Sequence, residues 1–430
     1  MLGSRIARLR KHATNATWAS LEYLFYPLLM LVATPVYLRS LGVVHYGLLV
    51  LVTTIVSLSA VGGLGMASAT VRFVAAHRGA HNPPQVVLIV RQTLTLAILG
   101  GIAFGGVIAI AAPFLAAKMS AEMGNQAQVT LALTLGAGTL LLNQAEAVFG
   151  ATLKGFERFG LSAGLDIVFK ILSVGVGVVA AILSRSVTLV LVCFLAVTIL
   201  STAIRAVIAS RIAGGPVYLP VWQGDTAKEV WSFGAWAWLQ GVASAVFSNL
   251  DRFVISAALG AAPLAYYGVC VQVASQVHAI PAAAMSILIP LVSRQIGAGA
   301  HENVKRIERL SVAANLAISF TLVVSFLAIG DWFLRLWLGE VIATEVQPLF
   351  TWMVLAYGLV SLSIAPYFLL LGRGDARFVS LVGSFGSAIS AATAAALIPA
   401  LGLMGGVLAR AAYGPVLLLY YVRLIRRRRD

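Results

Sequence analysis

The sequence predicts an all-α polytopic membrane protein of about twelve transmembrane helices, arranged as two six-helix lobes. Three observations carry that prediction. Of 430 residues, 60% are hydrophobic and only 10% are charged, with a mean hydropathy of +0.94. A soluble domain carries about a quarter charged residues, so these few charges could not cover a water-soluble globule. Apolar runs long enough to cross a bilayer recur along the chain, separated by short polar connectors. Lys and Arg gather on alternate connectors. The 40 glycines follow no triplet period, which excludes collagen. The alternating pattern of an outer-membrane barrel, in segments of about ten residues, is absent.

Crossing the hydrocarbon core takes about 20 apolar residues. On that criterion the spans fall at 16–38, 46–72, 87–112, 127–151, 161–183, 187–209, 230–257, 264–291, 307–329, 347–371, 377–399 and 402–423. The apolar stretch of span one is too long for a signal-peptide core. Lys154-Gly155-Phe156-Glu157-Arg158 joins spans four and five, and Arg373-Gly374-Asp375-Ala376-Arg377 joins ten and eleven. The most polar connector, with Gly214, Gly215, Pro216 and Pro220, separates six from seven. It sets an N-terminal lobe at 1–210, a linker at 211–228 and a C-terminal lobe at 229–430. Pro27, Pro35, Pro281, Pro290, Pro366 and Pro415 fall inside or near the ends of spans one, eight, ten and twelve, where each removes a backbone hydrogen bond and permits a kink.

The net charge is +15, from 30 Lys and Arg against 15 Asp and Glu. In a soluble protein that balance would suggest nucleic acid. Here 23 of the basic residues lie on the N-terminal side of the membrane and five on the other. The positive-inside rule then makes both termini cytoplasmic, favours an even number of spans and leaves no reason to expect a nucleic-acid partner. Cys193 and Cys270 lie in apolar segments without metal-ligand spacing and read as small buried hydrophobes.

The chain also matches itself. Leu41-Gly42 and Tyr46-Gly47 after span one resemble Leu259-Gly260 and Tyr267-Gly268 after span seven. Lys154, Gly155, Arg158 and Phe159 match Arg373, Gly374, Arg377 and Phe378. Gly47 to Gly268 is a shift of 221 residues and Gly155 to Gly374 one of 219, which points to duplication of six spans. An even repeat keeps its polarity in the membrane, so a substrate site is expected between parallel halves near the midplane.

Charges inside spans are costly, and each is therefore a candidate for function. The basic ones are Arg72, Arg91, Lys170, Arg252 and Arg410; the acidic ones are Glu22, Glu146, Asp166 and Asp251. Each also has a structural reading. Asp166 and Lys170 are four residues apart and could pair on one helix face. Arg72 and Arg91 are close enough to the interface to snorkel, and Glu22 and Glu146 could pair with them. Asp251 and Arg252 diverge by about 100° around a helix and make poor partners. Arg410 is too deep to snorkel easily and has no acid three or four residues away, so it needs a carboxylate from another helix or a ligand. No metal-spaced His/carboxylate cluster, phosphate loop or nucleophile elbow is present, so neither a cofactor nor an enzymatic reaction is expected.

Taken in order, several segments resemble a known family. They are Tyr37-Leu38-Arg39-Ser40-Leu41-Gly42-x3-Tyr46-Gly47, Gly65-Met66-x5-Arg72-Phe73-Val74-Ala75, Ser232-Phe233-Gly234, Asn249-Leu250-Asp251-Arg252-Phe253 and Pro290-x3-Arg294. Together they are similar to the polysaccharide-transporter (Wzx-type O-antigen flippase) branch of the multidrug/oligosaccharidyl-lipid/polysaccharide exporter superfamily. Val61-Gly62-Gly63-Leu64-Gly65 lacks the Asp that precedes Gly-Leu-Gly in the usual pattern, so no role of that acid carries over. The resemblance implies a MATE-like fold and the flipping of undecaprenyl-diphosphate-linked oligosaccharide across the bacterial inner membrane. It also implies glycosyltransferases and a polymerase as pathway partners. Arg72, Arg91, Lys170, Arg252 and Arg410 would then meet the diphosphate, with Glu22, Glu146, Asp166 and Asp251 compensating charge or coupling an ion. A multidrug antiporter would need an acidic, aromatic cavity instead, and a non-transporting scaffold of a synthase complex would need none.

Overall fold

The computed structural model describes residues 29–123, 125–297 and 300–429. Among these every regular element is a helix, and the chain divides into two compact units at Ala245/Val246. The first holds α1 (Leu29–Leu41), α2 (Val43–Ser57), α3 (Ser59–Gly62), α4 (Met66–Gly79), α5 (Pro83–Met123), α6 (Gln126–Gly155), α7 (Phe159–Ser184), α8 (Val187–Ala213) and the start of α9 (Gly224–Leu259). The second holds the rest of α9, then α10 (Ala261–Ala274), α11 (Gln276–Met285), α12 (Leu288–Gly297), α13 (His301–Leu338) and α14 (Glu340–Ser361). It continues with α15 (Ile364–Gly372), α16 (Ala376–Leu401), α17 (Leu403–Leu417) and α18 (Leu419–Arg429). The division falls inside α9, downstream of the 211–228 connector.

Among the described residues, eight helical stretches are long and apolar enough to cross a membrane, so this is a multi-pass membrane protein. Their ends are satisfied locally. Asn125 Oδ1 accepts from Gln128 N at 3.1 Å to open α6, and α8 closes on Gly214 in the left-handed conformation. In the first unit Met66, Phe73 and Val74 of α4 pack on Val86, Ile89 and Leu94 of α5 and on Val148 and Phe149 of α6. The second unit builds its core from Leu288 and Val292 of α12, Leu369 and Leu370 of α15, Val379 and Val382 of α16, and Tyr420 and Leu424 of α18. Helices α7 and α13 keep apolar residues such as Ile182, Leu183, Phe320 and Trp332 exposed, as lipid-facing helices do. Cys193 and Cys270 are both free, and Cys270 is buried.

Four expected spans are not continuous helices. Span two breaks at Leu58 and again at 63–65, where Leu64 and Gly65 adopt φ of 52° and 72°. At Gly65 the backbone of α4 meets that of α9, and any Cβ would collide with the Gly234 carbonyl. Trp238 Nε1 donates to Val61 O at the same break (2.7 Å). Span eight breaks at Ser275 and at 286–287, where Ser275 Oγ bonds back to Gln272 O and Ser286 Oγ to Ala283 O. Span ten breaks at 362–363. Pro366 has no N–H for the Leu362 carbonyl four residues earlier, and Asn315 Nδ2 (3.2 Å) and Tyr421 Oη (2.7 Å) donate to it instead. Span twelve breaks at Leu418, three residues after Pro415.

The internal repeat is visible in backbone geometry, with a corrected register. Gly42 (φ 79°, ψ 165°) and Gly260 (φ 96°, ψ −167°), 218 residues apart, make the same sharp junction between helices. Gly155 ends α6 with the site of its missing Cβ 2.9 Å from Val74 Cβ, and Gly372 ends α15 with the same site 2.9 Å from Val292 Cβ. Gly155 therefore corresponds to Gly372, not to Gly374 as the sequence match suggested. Gly374 (φ 82°) instead matches Glu157 (φ 59°) in the turn that follows. The two similar strings sit two residues apart relative to their helix ends.

Candidate functional site

The first unit gathers charge where α6, α7 and α8 meet. Each helix contributes two positions four residues apart, which lie on one helix face: Glu146 and Gly150, Ser162 and Asp166, Ser201 and Arg205. Arg205 is 1% exposed. Its Nε lies 3.1 Å from Glu146 Oε1 and donates to Ser201 Oγ at 3.2 Å, while Nη2 lies 2.6 Å from Asp166 Oδ1. Ser201 Oγ donates in turn to Glu146 Oε1 at 2.7 Å. Two expectations are corrected here. Asp166 pairs with Arg205 rather than with Lys170 on its own helix, and Glu146 pairs with Arg205 rather than with Arg72 or Arg91.

Arg205 itself was missed by sequence reasoning. It stands close to Arg211, near the expected end of span six, but α8 runs on to Ala213 and leaves it about two turns inside. The available signal was its position: Arg205 lies four residues inside the span expected at 187–209, where a charge is costly.

In the second unit an ion pair is buried on both sides. Arg410, expected among the substrate cations, is 4% exposed; its Nε donates to Asp251 Oδ2 at 2.8 Å and its Nη2 lies 2.8 Å from the same oxygen. Tyr267 Oη donates to that oxygen too, and the guanidinium lies 5.7 Å from the Tyr357 ring centroid. Asp251 Oδ1 accepts from Arg252 N at 2.9 Å. Arg410 thus takes the carboxylate from another helix that its depth required, and Asp251 is its counter-ion. This arrangement is neutral, closed and suited to holding α9 and α17 together rather than to receiving an anion.

The other expected cations take no part in the salt bridges of these clusters. Arg72 is exposed on α4, with its guanidinium 5.4 Å from the Phe73 ring centroid. Half-buried Arg91 does more than snorkel. Its Nε donates to Leu219 O at 2.7 Å, and with it α5 grips the connector after α8. Thr95 Oγ1 donates to Val221 O (2.7 Å) and accepts from Val221 N (2.9 Å), and Gln92 Oε1 accepts from Gln223 N (2.7 Å). Lys170 on α7 and Arg252 on α9 are half-buried. Glu22 lies outside the described residues. Two further pairs close the second unit, Glu308 with Arg373 and Asp375 with Arg423 (3.1 Å). Among the described residues no three His, Cys, Asp or Glu side chains come together as a metal site.

Comparison with known proteins places this geometry. A family model described as polysaccharide biosynthesis protein matches residues 37–344. A Shigella flexneri protein described as "Putative O-antigen transporter" is 21% identical over 385 residues, covering 86% of this chain and 86% of its own. An inward-facing multidrug resistance MATE family transporter of the MOP superfamily superposes with a TM-score of 0.71 at 14% identity, over 96% of this chain and 99% of its own. The lipid II flippase MurJ in an inward closed conformation gives a TM-score of 0.73 at 13% identity, over 95% of this chain and 87% of its own. At these identities the two structures establish a MATE-like fold.

Proposed function

This chain belongs to the polysaccharide biosynthesis protein family, and we propose that it flips undecaprenyl-diphosphate-linked oligosaccharide units across the bacterial cytoplasmic membrane by alternating access. The family match over 37–344 carries the reading, and the near-full mutual coverage with the Shigella flexneri protein supports it. Both termini and the 211–228 connector are cytoplasmic in this proposal, because 23 basic residues lie on that side. Flipping needs no covalent step. It needs cations to receive a diphosphate that is leaving water, and arginine offers bidentate contacts for that purpose. Arg72, Arg91, Lys170 and Arg252 remain the proposed cations. Arg91 has both terminal nitrogens outside its bond to Leu219 O, and Arg72 is exposed. Arg410 drops out because Asp251 already neutralises it. Glycosyltransferases would supply the substrate and a polymerase would consume it.

The test is genetic. In a strain deleted for this chain, surface polysaccharide should disappear and lipid-linked oligosaccharide should accumulate, and the intact chain should restore both. Normal surface polysaccharide in the deletion strain, with no other transporter of this family present, would exclude the assignment.

A further inference from the structure

We infer that the connector between α8 and α9 is a membrane-embedded strap, bonded to α5 on one side and set into the lipid leaflet through Tyr218, Leu219 and Trp222 on the other. Its position goes beyond the flippase reading and does not depend on it. Depth, backbone pairing and exposed side chains all point the same way.

Depth comes from α5. Its stretch Pro83–Phe114, apolar enough to cross a membrane, has 32 residues. At about 1.5 Å each it measures ~48 Å, so centred on a hydrocarbon core of about 30 Å it extends about 9 Å past each edge. Arg91, Gln92 and Thr95 lie about 12–18 Å from Pro83 along the helix axis. The connector residues bonded to them, Leu219, Val221 and Gln223, are therefore held at or just inside the edge of the core. They are not in the water beyond it.

The backbone agrees. Residues 215–223 belong to no helix or strand, and a loop in water needs no fixed partners. Here Val217 N donates to Ser210 Oγ (3.1 Å), Val221 N to Thr95 Oγ1 (2.9 Å) and Gln223 N to Gln92 Oε1 (2.7 Å). Leu219 O accepts from Arg91 Nε and Val221 O from Thr95 Oγ1. Gly214 N and Gly215 N both donate to Ser210 O, while Pro216 and Pro220 have no N–H to satisfy. Irregular backbone persists at the depth of lipid where the protein itself satisfies it.

The side chains name the occupant. Val217 is fully buried, whereas Tyr218, Leu219 and Trp222 are 53%, 47% and 62% exposed. Three large apolar side chains so close together would make an adhesive patch in water, and Trp and Tyr are the residues that membrane interfaces favour. Leu200, Ile204 and Val207 keep one face of α8 apolar and exposed into its last two turns. The lipid-facing surface thus runs along α8 towards the connector, and lipid is what covers the exposed aromatic residues.

The experiment places a photoreactive benzoylphenylalanine at Tyr218, Leu219 or Trp222 of the full-length protein, one position at a time, in phospholipid nanodiscs. The same probe at Ala80, exposed in the turn before α5, is the reference. After irradiation, mass spectrometry scores adducts to lipid and to protein. Lipid adducts at the three connector positions should exceed those at Ala80 several-fold. All three side chains are exposed, so the substitutions disturb little packing, and any one folded variant decides the matter. Lipid adducts no more frequent than at Ala80, or adducts to the chain itself or to a second copy in place of lipid, would overturn the inference. Loss of lipid adducts leaves the flippase reading untouched, and failure of the genetic test leaves the strap untouched.

Discussion

At Arg410 a buried guanidinium and Tyr267 converge on one oxygen of Asp251. Removing one member of a buried ion pair leaves an uncompensated charge, at a cost of about 3–5 kcal/mol. Arg410→Ala should therefore lower Tm and expression before it changes transport, and Asp251→Asn should do the same. Replacing both with apolar residues should recover much of the loss. A thermal-shift series in detergent checks this, and a fully stable Arg410→Ala would refute the counter-ion role. Arg72→Ala should behave in the opposite way. Arg72 is exposed, so stability should change by no more than about 0.5 kcal/mol. Surface polysaccharide per folded transporter should fall. The sequence made Glu146, Asp166, Asp251 and Arg410 conspicuous as charges inside apolar runs. It could not reveal their partners, because pairing across helices depends on rotations that no single-helix period encodes. Arg205 shows the same limit, since its burial depends on how far α8 extends past it.

Helix breaks belong to the next scale. Proline and glycine positions marked where spans could bend, but not where the freed backbone groups would go. At the α14–α15 break Asn315 Nδ2 donates to both Ser361 O (3.0 Å) and Leu362 O (3.2 Å). Asn315→Ala should cost about 1–3 kcal/mol, because it takes a donor from the Ser361 carbonyl and leaves Leu362 O with Tyr421 Oη alone. Adding Pro366→Ala returns an N–H to Leu362 O and should recover part of that loss; a double variant no more stable than Asn315→Ala would contradict this account of the break. The connector after α8 gives a second prediction. Thr95→Val removes both bonds to Val221, so limited proteolysis between 214 and 223 should speed up while the helices stay intact. An unchanged cleavage rate would mean that the strand is held elsewhere. The sequence identified this stretch as a polar linker, yet gave no sign that α5 holds it, because Thr95 and Gln92 look like ordinary residues of an apolar span.

For the whole molecule, composition and hydropathy were enough to read a polytopic helical protein, and short matched strings pointed to an internal repeat. The register was not: Gly155 and Gly374 match as letters, whereas Gly155 and Gly372 match in contact. A topology experiment addresses the proposed orientation. A cysteine at Gly214 should react with an impermeant thiol reagent only from the cytoplasmic side, and labelling from outside would reverse it. The central claim is movement of a lipid-linked oligosaccharide between leaflets. The direct measurement places purified protein in liposomes loaded with radiolabelled undecaprenyl-diphosphate oligosaccharide on one leaflet, then scores its exposure to an impermeant glycosidase on the other. Protein-dependent exposure that falls in Arg72→Ala is the predicted result. No exposure above protein-free liposomes, with the chain folded and inserted, would contradict it.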